Sequence, residues 1–133
     1  MPEPKTYRCG KIKKGRGLFI GATRYLPRGV SKADLSGYFD VWFPLVAPSA
    51  KLIKEFKGRP VQAETFKWFG REYKKELSGS PEARHLLELL ARVAERLQIH
   101  VGCYCEDEGY CHRGLLRDEI TRRMVRRSLG RPS

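Results

Sequence analysis

Two rhythms of apolar residues divide this chain. Compact runs at 18–23, 38–43 and 98–103 are too short for helices and rich in β-branched or aromatic residues, so each predicts a buried strand. Elsewhere the apolar positions recur every three or four residues. Leu52, Ile53 and Phe56 predict a short helix over 49–56, and Phe66, Phe69, Tyr73 and Leu77 a longer one over 61–77 despite Gly70. The clearest helix is 81–97, with Ala83, Leu86, Leu87, Leu90, Ala91, Ala94 and Leu97 on one side. A last helix over 112–128 has Leu115, Leu116, Ile120, Met124 and Val125 as its apolar side.

The boundaries carry their own signals. Ser49 and Ser80 stand where an N-cap oxygen is wanted, with Pro81 at the first helical position; Ser31 is placed to cap one turn. Pro44, Pro48, Gly58 and Pro60 break the elements between. Residues 1–16 read as a basic N-terminal arm or edge strand, with a turn at 14–17, and 129–133 as a frayed tail. No repeat and no long linker divides the 133 residues. Strands interleaved with helices predict one small α/β domain with helices packed on a sheet. The strand–loop–helix at 98–128 puts its loop at the carboxyl end of a strand, where ligands bind in open α/β sheets.

Composition narrows the class. An apolar fraction of 41% fits a globular core, and a chain of this length buries roughly 70% of its unfolded surface. No apolar run approaches the ~20 residues of a membrane span, and no signal-peptide pattern opens the chain. A cytoplasmic protein without a membrane partner is expected. The absence of Asn, two Gln and 32% charged residues lean towards a thermophile.

Charge adds a partner class. The net charge is +12, and from residue 113 onward seven arginines face only Asp118 and Glu119. Such a field attracts polyanions, so an anionic small molecule or a nucleic acid is the candidate partner. In the nucleic-acid reading Arg117, Arg122, Arg123, Arg126 and Arg127 present the last helix to phosphates, with Tyr7, Tyr104 and Tyr110 available to stack on bases.

The densest chemistry is Cys103-Tyr-Cys105-Glu-Asp-Glu-Gly-Tyr-Cys111-His112-Arg113. A sulfur exposed over the free amides of a helix start is pushed towards thiolate, and Arg113 and a protonated His112 push the same way. Cys111 as nucleophile, His112 as proton shuttle and Cys103 beside them form the candidate catalytic group. Three other readings stay open: a metal site of Cys103, Cys105, Cys111 and His112; a disulfide of Cys111 with Cys103 or Cys105, or involving Cys9; and inert buried thiols. A phosphatase-like cradle is excluded, since the position six after Cys105 is Cys111 rather than Arg. Neighbouring side chains on a helix diverge, which disfavours a Cys111–His112 hydrolytic pair. No cofactor can be named.

These residues also carry a resemblance. Cys103, Cys111, His112 and Arg113 resemble the C-terminal signature of the family called domain of unknown function 488, although Cys105 stands where that family has a glutamate. The stretch from Thr23 to Lys32 resembles its Asp-Arg-x-Trp-Pro-Arg-Gly-x-Ser-Lys block, with Thr23 and Leu26 as departures. Ala47-Pro48-Ser49 and Phe69-x₃-Tyr73-x₂-Glu76-Leu77 resemble its next two blocks. The likeness covers roughly residues 17–120. It implies a small single-domain Rossmann-like sheet, no established activity, and functional positions at Arg24, Arg28, Lys32, Tyr73, Cys103, Cys111, His112 and Arg113. Arg24, Arg28, Lys32, Tyr73 and Arg113 are the expected anion-binding set. Arg24 and Arg28 follow the first long strand, and both reach the cysteine loop if that strand runs parallel beside 98–103.

Overall fold

A computed structural model describes residues 3–9, 15–104 and 111–130, the last four of these by their backbone alone. The loop with Cys105, Glu106, Asp107, Glu108 and Tyr110, the cluster Lys11, Lys13 and Lys14, the side chain of Arg127 and the end of the tail lie outside the described residues.

Four strands, β1 (Lys5–Arg8), β2 (Leu18–Gly21), β3 (Val41–Trp42) and β4 (Ile99–Cys103), form one sheet in the order β1-β4-β2-β3. Every neighbouring pair is parallel, with Lys5 opposite His100, Leu18 opposite Ile99 and Ile20 opposite Val41. The N-terminal arm is therefore an edge strand. Helices α1 (Ala50–Lys57), α2 (Ala63–Gly79), α3 (Pro81–Ala94) and α4 (His112–Gly130) complete the domain, with short 3₁₀ turns at Lys32–Gly37 and Pro44–Val46. This is the expected small α/β fold.

Alternation along the strands explains the layers. Ile99 and Val101 of β4 and Ile20 of β2 join Leu87, Leu90, Leu116, Ile120, Phe69 and Tyr73 in one buried core. On the opposite face Phe19 stacks on His100 at 4.1 Å and meets Tyr7 edge-on at 5.1 Å. That face needs a glycine at 102. A Cβ there would lie 2.5 Å from the Tyr7 ring and 2.8 Å from the Cys9 sulfur.

The caps act as read. Ser49 Oγ accepts from Leu52 N–H at 3.1 Å and Ser80 Oγ from Ala83 N–H at 3.2 Å. Ser31 instead donates to Asp34 at 3.0 Å and caps no amide through its side chain. Several predicted elements are shorter than expected, two of them by three residues or more. The 38–43 run contributes only Val41–Trp42, because Phe39 packs over Gly21 rather than continuing the ladder. Helix α3 stops at Ala94, which leaves Leu97 partly exposed beyond it. No described helix is long and apolar enough to cross a membrane.

Candidate functional site

The carboxyl ends of β2 and β4 lie side by side because the two strands pair in parallel, Gly21 opposite Gly102. Beyond them run Ala22, Thr23 and Arg24 on one side and Cys103 and Tyr104 on the other. Helix α4 begins next to these ends, with Cys111 at the bend just before it. A pocket of about 230 Å³ opens here. Its buried lining includes Cys103, Cys111 and His112; Ile53, Phe56 and Phe69 give it an apolar side, and Arg24 and Lys57 give it positive charge.

Cys103 and Cys111 turn towards each other. Their sulfurs are in disulfide contact, with Cα atoms 7.7 Å apart. Bridged cysteines usually hold their Cα atoms ~4.4–6.8 Å apart. The backbone thus fits two sulfurs converging on a shared point better than it fits a covalent bridge. Cys103 Sγ, Cys111 Sγ and a ring nitrogen of His112 all lie within 4.8 Å of one another. Arg113 adds a cation: its Nη1 donates to Cys103 Sγ at 3.7 Å.

His112 is fixed at both ends. Nε2 lies 2.5 Å from the Ala22 carbonyl oxygen, which can only accept, so Nε2 carries the proton. Nδ1 lies 3.9 Å from Cys111 Sγ, and the ring packs edge-on against Tyr73 at 5.7 Å. Burial, against the opposing pull of the Ala22 hydrogen bond, lowers its pKa to about 4, and Arg113 adds to the lowering.

Three expectations are corrected. Cys111 is not exposed over the helix amides but only 2% accessible, since its side chain turns inward against Cys103. His112 is not protonated but neutral near pH 7, because burial disfavours the charged ring and Arg113 adds to it. The two side chains do not diverge as helical neighbours would, because Cys111 precedes the helix and escapes its geometry.

The other anticipated residues fall in three places. Arg24 lines the pocket and also donates through Nε to the Pro48 carbonyl and through Nη2 to the Ala47 carbonyl, each at 3.0 Å. Tyr73 is wholly buried and donates to the Val46 carbonyl at 2.5 Å, so it stands behind His112 rather than in the pocket. Glu76 accepts from the Ser49 backbone N–H at 2.9 Å and from its hydroxyl. Arg28 and Lys32 are exposed and do not line the pocket.

Of the described α4 arginines, Arg113 and Arg123 are buried, while Arg122 and Arg126 are exposed and pair with acidic neighbours. Arg123 is buried and pairs with Glu88 at 2.5 Å and Glu119 at 3.5 Å. Arg126 reaches the same Glu88 at 3.4 Å, Arg122 pairs with Glu119, and Arg117 with Asp118 at 3.2 Å. A larger groove of about 580 Å³ runs beside them, lined by both signs of charge and by neither cysteine nor histidine. Tyr7 spends its hydroxyl on the Tyr38 carbonyl at 2.7 Å. Cys9 is free and buried, and burial pushes its thiol up despite Tyr7 and Arg113.

Residues 4–124 match a family model, DUF488-N3a, described as the active DUF488-N3 subclade. The chain belongs to the DUF488 family. The match begins before β1 and takes in the edge strand and Cys9. Comparison with curated proteins and with solved structures finds no match. Thr23 and Tyr104 also line the pocket of this DUF488 domain, as do Ile53, Phe56 and Lys57, which the sequence does not place at the cysteine loop because they arrive only through the position of α1.

Proposed function

We propose that this DUF488 domain binds a small anionic ligand of nucleotide type over the ends of β2 and β4 and presents a cysteine–histidine centre to it. The observation that carries the reading is the pocket itself, where Cys111 and His112 share a lining with Arg24 and Lys57 and with three apolar side chains. Convergent polar groups in an apolar concavity are what a ligand with a flat body and a charged end requires. At about 230 Å³ the space admits a group the size of a base or a phosphate rather than a whole dinucleotide.

The chemistry follows from the imidazole. Burial holds His112 neutral, with its Nδ1 lone pair facing the Cys111 sulfur. In the reduced protein Nδ1 can take the Cys111 proton, and a ligand seated in the pocket covers the sulfur from other electrophiles. The matched subclade is described as active, which agrees with a reactive centre.

Alkylation of the reduced, chelator-treated protein tests the reading. AMP and inorganic phosphate should slow carboxamidomethylation of Cys111 in a saturable way, and Lys57→Gln should raise the concentration needed several-fold. A rate indifferent to both anions would defeat it.

A further inference from the structure

We propose that Cys103, Cys111 and His112 form a three-ligand site for a thiophilic divalent cation, zinc being the ion the donors fit, with the fourth coordination position open to the pocket. Two sulfurs and one imidazole are the soft and borderline donors that select zinc over magnesium or calcium. Bond lengths of ~2.3 Å to sulfur and ~2.0–2.1 Å to nitrogen around a tetrahedral ion place ligand atoms roughly 3.5–3.8 Å apart. Nδ1 and Cys111 Sγ are 3.9 Å apart, and all three donors fall within 4.8 Å. The Cα separation of 7.7 Å leaves the two sulfurs room to part around an ion.

The surroundings are those of a ligand histidine. A metal-bound imidazole commonly donates its other N–H to a carbonyl, which fixes ring and tautomer. His112 does this through Nε2 to Ala22, so its lone pair lies on Nδ1, the nitrogen that faces Cys111. Two thiolates cancel the charge of the ion, and Arg113 Nη1 donates to Cys103 Sγ as it would to a bound thiolate. Three protein ligands with one open position is the pattern of a catalytic rather than a structural zinc site. What fills the open position rests on the anion reading above; the cation does not. Binding exchanges two thiol protons for one ion, forming two metal–sulfur bonds. From a disulfide form, an added phosphine must first supply two electrons to cleave the S–S bond.

The test uses the full chain purified without a histidine tag, stripped with chelator and reduced with a phosphine. Cobalt(II) should bind one per chain with the visible bands of tetrahedral cobalt and a sulfur-to-cobalt charge-transfer band, and one zinc per chain should erase both. Cys103→Ser, Cys111→Ser and His112→Gln should each weaken binding by more than about 100-fold, beyond what loss of an outer-shell contact costs, while Cys9→Ser leaves it unchanged. Circular dichroism checks the fold of each variant. Proton release on zinc addition to the unmodified chain gives a readout that needs no variant. A folded, reduced wild-type chain without the charge-transfer band, or a Cys103–Cys111 bond that survives the phosphine, overturns the site. AMP protection lost with cobalt binding intact sinks only the ligand reading, and the converse sinks only this one.

Discussion

Acidifying the metal-free protein from neutral pH towards pH 4 loads a proton onto His112 in the unfolded chain but not in the folded one. The unfolded imidazole titrates near ~6.5, while burial beside Tyr73 and Arg113 holds the folded one at about 4. Unfolding between these values takes up a proton, so stability must fall as the pH drops through this window. The contribution is complete above ~6.5 and exhausted below about 4, where both states are protonated. At ~1.4 kcal/mol per tenfold the gap is worth about 3 kcal/mol. A chain of this size has a total of ~5–15 kcal/mol, and the loss lowers the melting temperature by on the order of 10 °C. Urea denaturation from pH 7.5 to 4, run on wild type and His112→Gln, isolates the effect. Glutamine keeps an N–H to offer the Ala22 carbonyl, cannot titrate, and shares every other ionisable group with the parent. The wild-type curve should descend relative to the variant by about 3 kcal/mol. Parallel curves would show that His112 is not a buried neutral imidazole, and the tautomer assigned above would fall with it.

Gly102→Ala should cost about 2 kcal/mol in urea denaturation by driving a methyl into Tyr7 and the Cys9 sulfur, and Cys9→Ala in the same chain should recover part of the loss. Ser49→Ala should cost about 1 kcal/mol, since the cap of α1 and the hydroxyl's bond to Glu76 go together while the backbone N–H keeps its own. Glu88→Gln with Glu119→Gln strips the buried Arg123 of its counter-charges and should cost about 3 kcal/mol by thermal unfolding. Arg24→Lys keeps the charge but not the fork that reaches two carbonyls; a loss of about 1–2 kcal/mol together with weaker AMP protection of Cys111 is expected. Unchanged values for both would show that Arg24 acts as a charge alone.

The helices were legible because their ends announce themselves. Serine caps at 49 and 80, Pro81 and the apolar period fix α1 to α3 within a few residues. Strand order was not legible, because β1 and β2 are separated by β4, a neighbour some eighty residues further along the chain. The cysteine loop stood out by composition, but its depth did not. A position before a helix says where a backbone amide points and nothing about which way the side chain turns, and Cys111 turns in. Helix α4 held a readable signal that charge counting obscured. Arg123 falls on the same arc as Leu116, Ile120 and Met124, so a helical wheel places its guanidinium against the core. The tautomer of His112 depends on a carbonyl 90 residues earlier and has no local trace.

Tyr73 and Glu76, suggested by family resemblance, support the pocket without lining it, and Arg24 lines it while also bracing its wall. Residues 46–48 pass from the 3₁₀ turn towards α1 with carbonyls that no helix or strand satisfies, and a half-buried carbonyl without a partner is costly. Arg24 and Tyr73 meet that need from the end of β2 and from α2, and Glu76 accepts from the Ser49 N–H and hydroxyl, so four consecutive residues are held by side-chain hydrogen bonds. Because α1 starts at Ala50, this clamp sets where Ile53, Phe56 and Lys57 stand, and so how wide the pocket is. Tyr73 couples the two halves, since the ring whose hydroxyl holds Val46 also backs His112. A change in the clamp therefore reaches the cysteine–histidine centre through packing, with no contact to a ligand, and a loss of activity at Tyr73 or Glu76 would be no proof that either residue touches one.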